Sequence, residues 1–401
     1  MTQKQPDATR SALFVVYLTV FIDLMGFGII LPLLPFYARE LGATGLMVGV
    51  LMTSYSAAQF LGAPIIGRLS DRYGRRPVIL ATLAGSAVSL LVMGLASSLA
   101  LLIVARSLAG LFGGSISAAQ AYIADVTLPE QRSKYMGILG ASIGMGFVFG
   151  PAIGAGLSHF GLGTAAMVAA ALAGCNWVFA YVKLKETRKV DVLRGARPHL
   201  SFAGLASALT APGKRAVLIG MFCATFAFVA METTYALLGA RRFNMTPRDL
   251  GYIFTLLGVI VVLIQGGLIG RLTKRFKERA IARAGLVTMA VGIFLVPLMS
   301  GLSGSVAALA LLAAGQALTT PTLSALLSRL TSADEQGGTM GLGQSLQALA
   351  RGVSPVVAGA LFDHGEHGPY FLGAIVCVTA ASLVLSVNVT LPPSEGQNNL
   401  S

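Results

Sequence analysis

Charge is what this sequence has least of. Only 11% of its 401 residues are Asp, Glu, Lys or Arg, less than half the share of about a quarter with which a soluble domain covers its surface. The outside of the folded chain must therefore face something other than water. Cysteine is scarce too. Cys175, Cys223 and Cys377 lie far apart inside apolar runs, which excludes a disulfide framework and a metal-binding spacing. No phosphate-binding loop occurs, so nothing points to work driven by ATP, and no bound cofactor is expected.

What the chain has is oil. It is 55% hydrophobic, with a mean hydropathy of +0.76, and apolar stretches of about 20 residues, each able to cross a bilayer core, recur along its length. Twelve spans are predicted, at roughly 11–35, 45–67, 77–97, 99–120, 136–157, 162–182, 216–238, 250–270, 284–301, 304–327, 338–361 and 369–390. The first is too long for a signal-peptide core and lacks a small-residue cleavage site, so it reads as a retained helix. The fold class is an all-α membrane protein of twelve transmembrane helices.

The net charge of +13 is compatible with nucleic-acid binding until its placement is considered. With alternating loops, 23 of the 29 basic residues fall on one side. Four fall on the other (Arg39, Arg241, Arg242, Arg248), and Arg106 and Arg351 lie within spans. Positive residues remain on the cytoplasmic side. The excess is a topology signal, with both termini cytoplasmic and the chain multi-pass in the inner (plasma) membrane, in contact with lipid and not with nucleic acid.

The sequence also repeats itself. "GRLSDRYG" at 67–74 returns as "GRLTKRFK" at 270–277, "VTLPEQRSKYMG" at 126–137 as "LTSADEQGGTMG" at 330–341, and "GPAIGAGL" at 150–157 as "SPVVAGAL" at 354–361. The shifts are 203, 204 and 204 residues. The expected organisation is a six-helix bundle over 1–182, a charged cytoplasmic linker over 183–215 and a second bundle over 216–401. Six spans per copy give both halves one orientation, with a substrate site between them near the midplane and alternating access by rocking.

"GRLSDRYGRR" (67–76) places Gly67, Asp71, Arg72, Gly74 and Arg75 in the loop after the second span. Through this loop the chain resembles the major facilitator superfamily, whose signature G-x-L-x-D-R-x-G-R-R it matches along its full length. The resemblance extends over essentially the whole chain and implies two pseudo-symmetric halves. It also implies a latch between them on the cytoplasmic side, with Asp71 and Arg75 as its residues and Asp125 as their partner. Lys274 stands where the second copy would repeat Asp71, so the latch is expected to be asymmetric. "GMGFVFGPAIGAGL" (144–157) carries Gly146, Gly150, Pro151 and Gly154, small residues that clear one face for close packing beside a proline that bends the helix. The stretch looks like the family's antiporter signature, with Ala155 replacing the last glycine. "DLMGFGIILPLLP" resembles the first span of tetracycline and multidrug exporters, the drug:proton antiporter branch.

Four ionisable residues are isolated in apolar surroundings. Arg106 in the fourth span would cost about 2.5–3.5 kcal/mol without a partner or water, and it matches the family's fourth-span arginine motif. Asp23 lies about halfway along the first span. Opposing effects of burial and a neighbouring cation, for which Arg106 is the candidate, can leave such a carboxylate able to exchange a proton near neutral pH. Glu232 in the seventh span suits a cationic substrate, a second proton or a solvated position at the outer mouth. Arg351 in the eleventh has Phe147 at its counterpart position, and an acid, a helix end or an anionic substrate are its expected contacts. Tyr55, Gln59, Gln120, Tyr235, Gln265 and Gln316 are candidate cavity residues. The outer Arg241, Arg242 and Arg248 read first as a solvated loop, with pairing to Asp249 or attraction of anions as the alternatives.

The sequence thus predicts no enzyme but a proton-driven exporter of small amphipathic compounds, of the kind that confers antibiotic resistance, acting as a monomer. The ninth span contains no acid, unlike that of the resembled tetracycline exporters, which counts against a dedicated tetracycline pump. The alternatives are proton-coupled uptake or exchange of a metabolite or organic anion, and a non-transporting receptor or lipid scramblase on the same scaffold.

Overall fold

A computed structural model describes residues 7–127, 129–186, 211–331 and 336–385, with Asp71 by its backbone alone. Among them every regular element is helical. The first six spans are Asp7–Ile30 continued by Leu34–Glu40, then Gly45–Tyr73, Arg75–Gly94, Leu99–Phe112 with Ser115–Val126, Pro129–Leu157 and Leu162–Lys183. The last six are Pro212–Phe243, Pro247–Arg275, Glu278–Leu295, Leu302–Arg329, Gln336–His364 and Gly368–Leu385. Most of the expected linker lies outside the described residues.

Eleven of these helices are long and apolar enough to cross a membrane. The fourth span departs from the unbroken helix predicted at 99–120. It stops at Phe112 and restarts at Ser115, because Gly113 and Gly114 give up the most backbone freedom in a helix. Both positions are also crowded: a Cβ on Gly113 would sit 2.9 Å from the Tyr55 hydroxyl, and one on Gly114 2.8 Å from Ile66. The first span pauses at 31–33, where Pro32 cannot donate to the carbonyl of Gly28. The eighth widens into a π-helical turn at Ile264–Leu268, a distortion frequent at functional sites.

The two halves meet along two seams, second span on eleventh and fifth on eighth. The repeat places these as equivalents, and each seam sets a glycine against the carbonyl of an intrahelical proline. A Cβ on Gly49 would lie 2.2 Å from the Pro355 oxygen, and one on Gly251 2.8 Å from that of Pro151. Small residues of this kind allow backbones to touch where lipid offers no hydrophobic drive for helices to associate.

Both seams are tight at one end only. Along the fifth–eighth seam, a glycine Cβ would find its neighbour at 2.7 Å at Gly251, 3.1 Å at Gly258 and 3.7 Å at Gly144, and nothing within 4 Å at Gly140 or Gly137. The second–eleventh seam is held at Gly45, Gly49 and Thr53, whose hydroxyl donates to Gly352 O at 2.6 Å. By Gly67 and Gly341 no neighbour lies within 4 Å. The core follows the same pattern. One buried cluster joins Leu34, Val48 and Leu51 to Leu238, Leu250 and Phe362 across the halves. The cluster at the other end, around Leu13, Ile79 and Tyr122, stays within the first half. The helices are closed at the charge-poor face and splayed at the basic face.

Candidate functional site

The splayed space leads to two cavities that share Phe147. The first, of about 360 Å³, is lined by Asp23, Phe27, Tyr55, Gln59, Arg106 and Arg351, with Ser86 and Ser115 beside them. Asp23 is half-buried there. Ser115 Oγ donates to its Oδ2 at 2.6 Å and Ser86 Oγ to its Oδ1 at 3.2 Å. The broken fourth span supplies the shorter bond, since Ser115 is the first residue after the glycine break. Gln59 Nε2 donates to Gly113 O at 2.9 Å and to Tyr55 Oη at 3.3 Å, tying that break to the second span.

Arg106 is 3% exposed, and among the described residues it forms no ion pair with Asp23. Its guanidinium lies over the Tyr55 ring at 4.5 Å and the Phe27 ring at 5.5 Å, with its Nε unpartnered. The neighbouring cation expected for Asp23 thus shares its cavity without a static salt bridge to it. The cation is held on aromatic faces and the carboxylate by hydroxyl donors, so neither neutralises the other. Ser86 and Ser115 escaped sequence reading because short hydroxyl residues are common in apolar helices. Phe27 passed for core.

The second cavity, of about 300 Å³, is lined by Glu232, Phe147, Phe254, Gln265, Gln316 and Thr320, among others. Gln265 comes from the π turn. Gln316 Oε1 is buried without a hydrogen-bond partner. Two sequence candidates lie elsewhere. Tyr235 is fully buried, its hydroxyl 3.1 Å from Ser305 Oγ, and Gln120 is exposed and lines neither cavity.

On the basic face, Gly74 adopts φ +101°, a conformation glycine enters without strain, and so turns the second span into the third. Arg75 Nε pairs with Asp125 Oδ2 at 2.8 Å, and its guanidinium also reaches Ser70 Oγ at 3.1 Å. This pair joins two parts of the first half and does not bridge the halves. Glu186, unremarkable in the sequence, accepts from the backbone N–H of Arg75 and Arg76 at 3.0 and 3.1 Å, capping the third span. Gly67 stands clear, Arg72 is exposed against the Tyr73 ring, and the Asp71 side chain lies outside the described residues.

Two halves of six spans, a polar cavity at their junction and this loop have a known counterpart. The sequence profile of the Major Facilitator Superfamily matches residues 16–312 and again 217–400. The chain belongs to the Major Facilitator Superfamily. It is 28% identical over 385 residues to multidrug resistance protein 2 of Bacillus subtilis, covering 94% of this chain and 95% of the relative. It is 31% identical over 360 residues to the class C tetracycline resistance protein of Escherichia coli, covering 88% and 90%. The crystal structure of the human organic anion transporter MFSD10 superposes with a TM-score of 0.68 at 26% identity, covering 95% of this chain and all of that one. As a major facilitator the chain is a transporter and not an enzyme.

Within this superfamily fold the fifth-span glycines have a physical assignment. A Cβ on Gly146, Gly150 or Gly154 would strike Leu24, Gly28 or Ile29 at 2.7, 2.7 and 2.5 Å. The motif therefore sets the fifth span directly on the helix that carries Asp23. Ala155, the departure from the motif, faces the other way and meets Gly251 of the eighth span. Of the outer arginines, Arg241 is exposed as a solvated loop requires, and Arg242 and Arg248 have contacts of their own. Arg242, not bonded to Asp249, donates from Nε to Glu366 Oε1 at 2.7 Å. Asp249 closes a capping box with Thr246, and Arg248 lies against Tyr252.

Proposed function

We propose that this major facilitator is a proton-driven exporter of small amphipathic compounds that works by alternating access. The basic face is cytoplasmic, following the distribution of its Lys and Arg, and the arrangement described here is the inward-open state. Substrate enters the paired cavities from the cytoplasm. A proton arriving from outside binds Asp23, and substrate release outward is linked to that step. The observation that carries the reading is the setting of Asp23: a half-buried acid on a cavity wall, held by two hydroxyls and free of a permanent cation partner. A carboxylate locked in a salt bridge would resist protonation. The two serine hydroxyls donate to the ionised form and can rotate to accept from the protonated one, so a proton is taken up with little rearrangement. Multidrug and tetracycline resistance proteins among the relatives support export.

A second reading has one observation in its favour. Arg106 and Arg351 both line the first cavity, which suits proton-coupled movement of an organic anion, the cargo named for the human neighbour.

Reconstituted liposomes with a pH-sensitive dye test both. The exporter reading expects proton movement that starts on adding substrate and runs opposite to it, and that is lost in Asp23→Asn. Movement in the same direction as substrate favours the anion reading. No substrate-linked proton movement across a broad compound panel removes both.

A further inference from the structure

Accepting that the paired cavities are the transport site, their unpaired charges narrow what fits them. Glu232 lines the second lobe and Arg351 the first, and both are half-buried. Among the described residues neither makes a hydrogen bond or an ion pair with protein; each feels the other's charge across the cavity, and Glu232 that of Arg106 too, but no contact neutralises them. Charges so placed inside a membrane ordinarily find a partner or stay in water. Here water reaches them only while the basic face is splayed. When the halves rock closed over a substrate, each charge loses water and keeps only the distant charge of the other unless the cargo meets it directly. Phe147 lies between the lobes, with Phe27 and Phe254 on either side, which provides an apolar bridge. The buried, unpartnered Gln316 Oε1 in the second lobe asks for a donor, as Glu232 does.

We infer that the cavity selects elongated zwitterions: an anionic group at Arg351, an aromatic or apolar body across Phe147, and a protonated amine at Glu232 and Gln316. An anion alone leaves Glu232 stranded beside an apolar body. A cation alone leaves Arg351 in the same position.

Binding to the purified full-length chain in nanodiscs, measured with matched ligands, tests this. The probes are ω-aminomethyl aryl carboxylates with one-, two- and three-ring spacers, each with its methyl ester, which is cationic, and its N-acetyl form, which is anionic. The zwitterion of at least one spacer length should bind about tenfold tighter than both relatives, a difference of the size that one lost charge contact produces. Glu232→Gln should erase its advantage over the N-acetyl form alone, and Arg351→Gln its advantage over the ester alone. Arg351→Lys should keep both preferences, which separates lost charge from lost fold. Equal binding across every triplet, or no binding by any zwitterion, overturns the inference. If other compounds still drive proton movement, that failure leaves the exporter reading standing; if none does, the reading itself has failed.

Discussion

At the charge-poor face the two halves touch backbone to backbone; at the basic face the same helices part. The contrast shows what holds this state. On the closed side, Asp363 at the end of the eleventh span accepts from the N–H groups of Gly45 and Leu46 at 2.8 Å each. It thus caps the start of the second span from the opposite half. A carboxylate at a helix N-terminus answers both the unbonded donors and the positive end of the dipole. On the open side, the ion pairs Arg75–Asp125 and Arg329–Glu278 each stay inside one half and are indifferent to the gap. Closure rests on contacts across the seam.

The strongest way to break the comparison is Gly49→Leu. Its Cβ would meet Pro355 O at 2.2 Å, and overpacking of this kind costs about 1–3 kcal/mol. The variant should favour opening of the charge-poor face, read as faster alkylation from that side of Val48→Cys, at a position fully buried in the closed seam. An unchanged rate would mean the seam is not what closes it.

Asp363→Ala is next. Loss of a cap costs about 0.5–2 kcal/mol, so the same alkylation rate should rise severalfold. His159→Ala, at the equivalent place in the other seam and exposed, should leave it alone. Equal responses would contradict the asymmetry.

Arg75→Ala should cost no more than about 1 kcal/mol, because Asp125 keeps 29% of its side-chain surface in solvent. It should lower thermal stability slightly without altering either face's alkylation. A shift in accessibility would show that the loop does act between the halves in this state.

Gly341→Ala is the mildest. Its Cβ meets nothing within 4 Å, so stability in the inward-open state should hold or rise by up to about 1 kcal/mol. A clear drop would mean that the basic face is more closed than described.

Much of this was legible in the sequence, for definite reasons. Hydropathy marks the spans because lipid demands it. The repeat identified Pro151 and Pro355 as counterparts, and the structure sets them at matching seams. Asp23 and Glu232 stood out because an acid in an apolar run is costly. Other features left no such trace. Hydropathy cannot see the break at Gly113–Gly114, since two glycines barely change an apolar average. The π turn at Ile264–Leu268 is a matter of hydrogen-bond register. Asp363 and Glu186 read as loop acids because the helix ends they cap belong to distant parts of the chain. Charge alone suggested Arg106 as a cation near Asp23, and the two share a cavity; that Phe27 and Tyr55 hold the arginine was not legible, because aromatic residues in apolar runs read as core.

The account stands on one cavity around Asp23 that opens to either face as that residue gains or loses a proton. Gln59→Cys, introduced with the three native cysteines replaced, reports this directly through its labelling by an impermeant reagent from each side as pH is varied. Labelling should come from the basic face and shift towards the charge-poor face as pH falls outside, and Asp23→Asn should make the pattern independent of pH. A pH response that survives intact in Asp23→Asn would contradict the account.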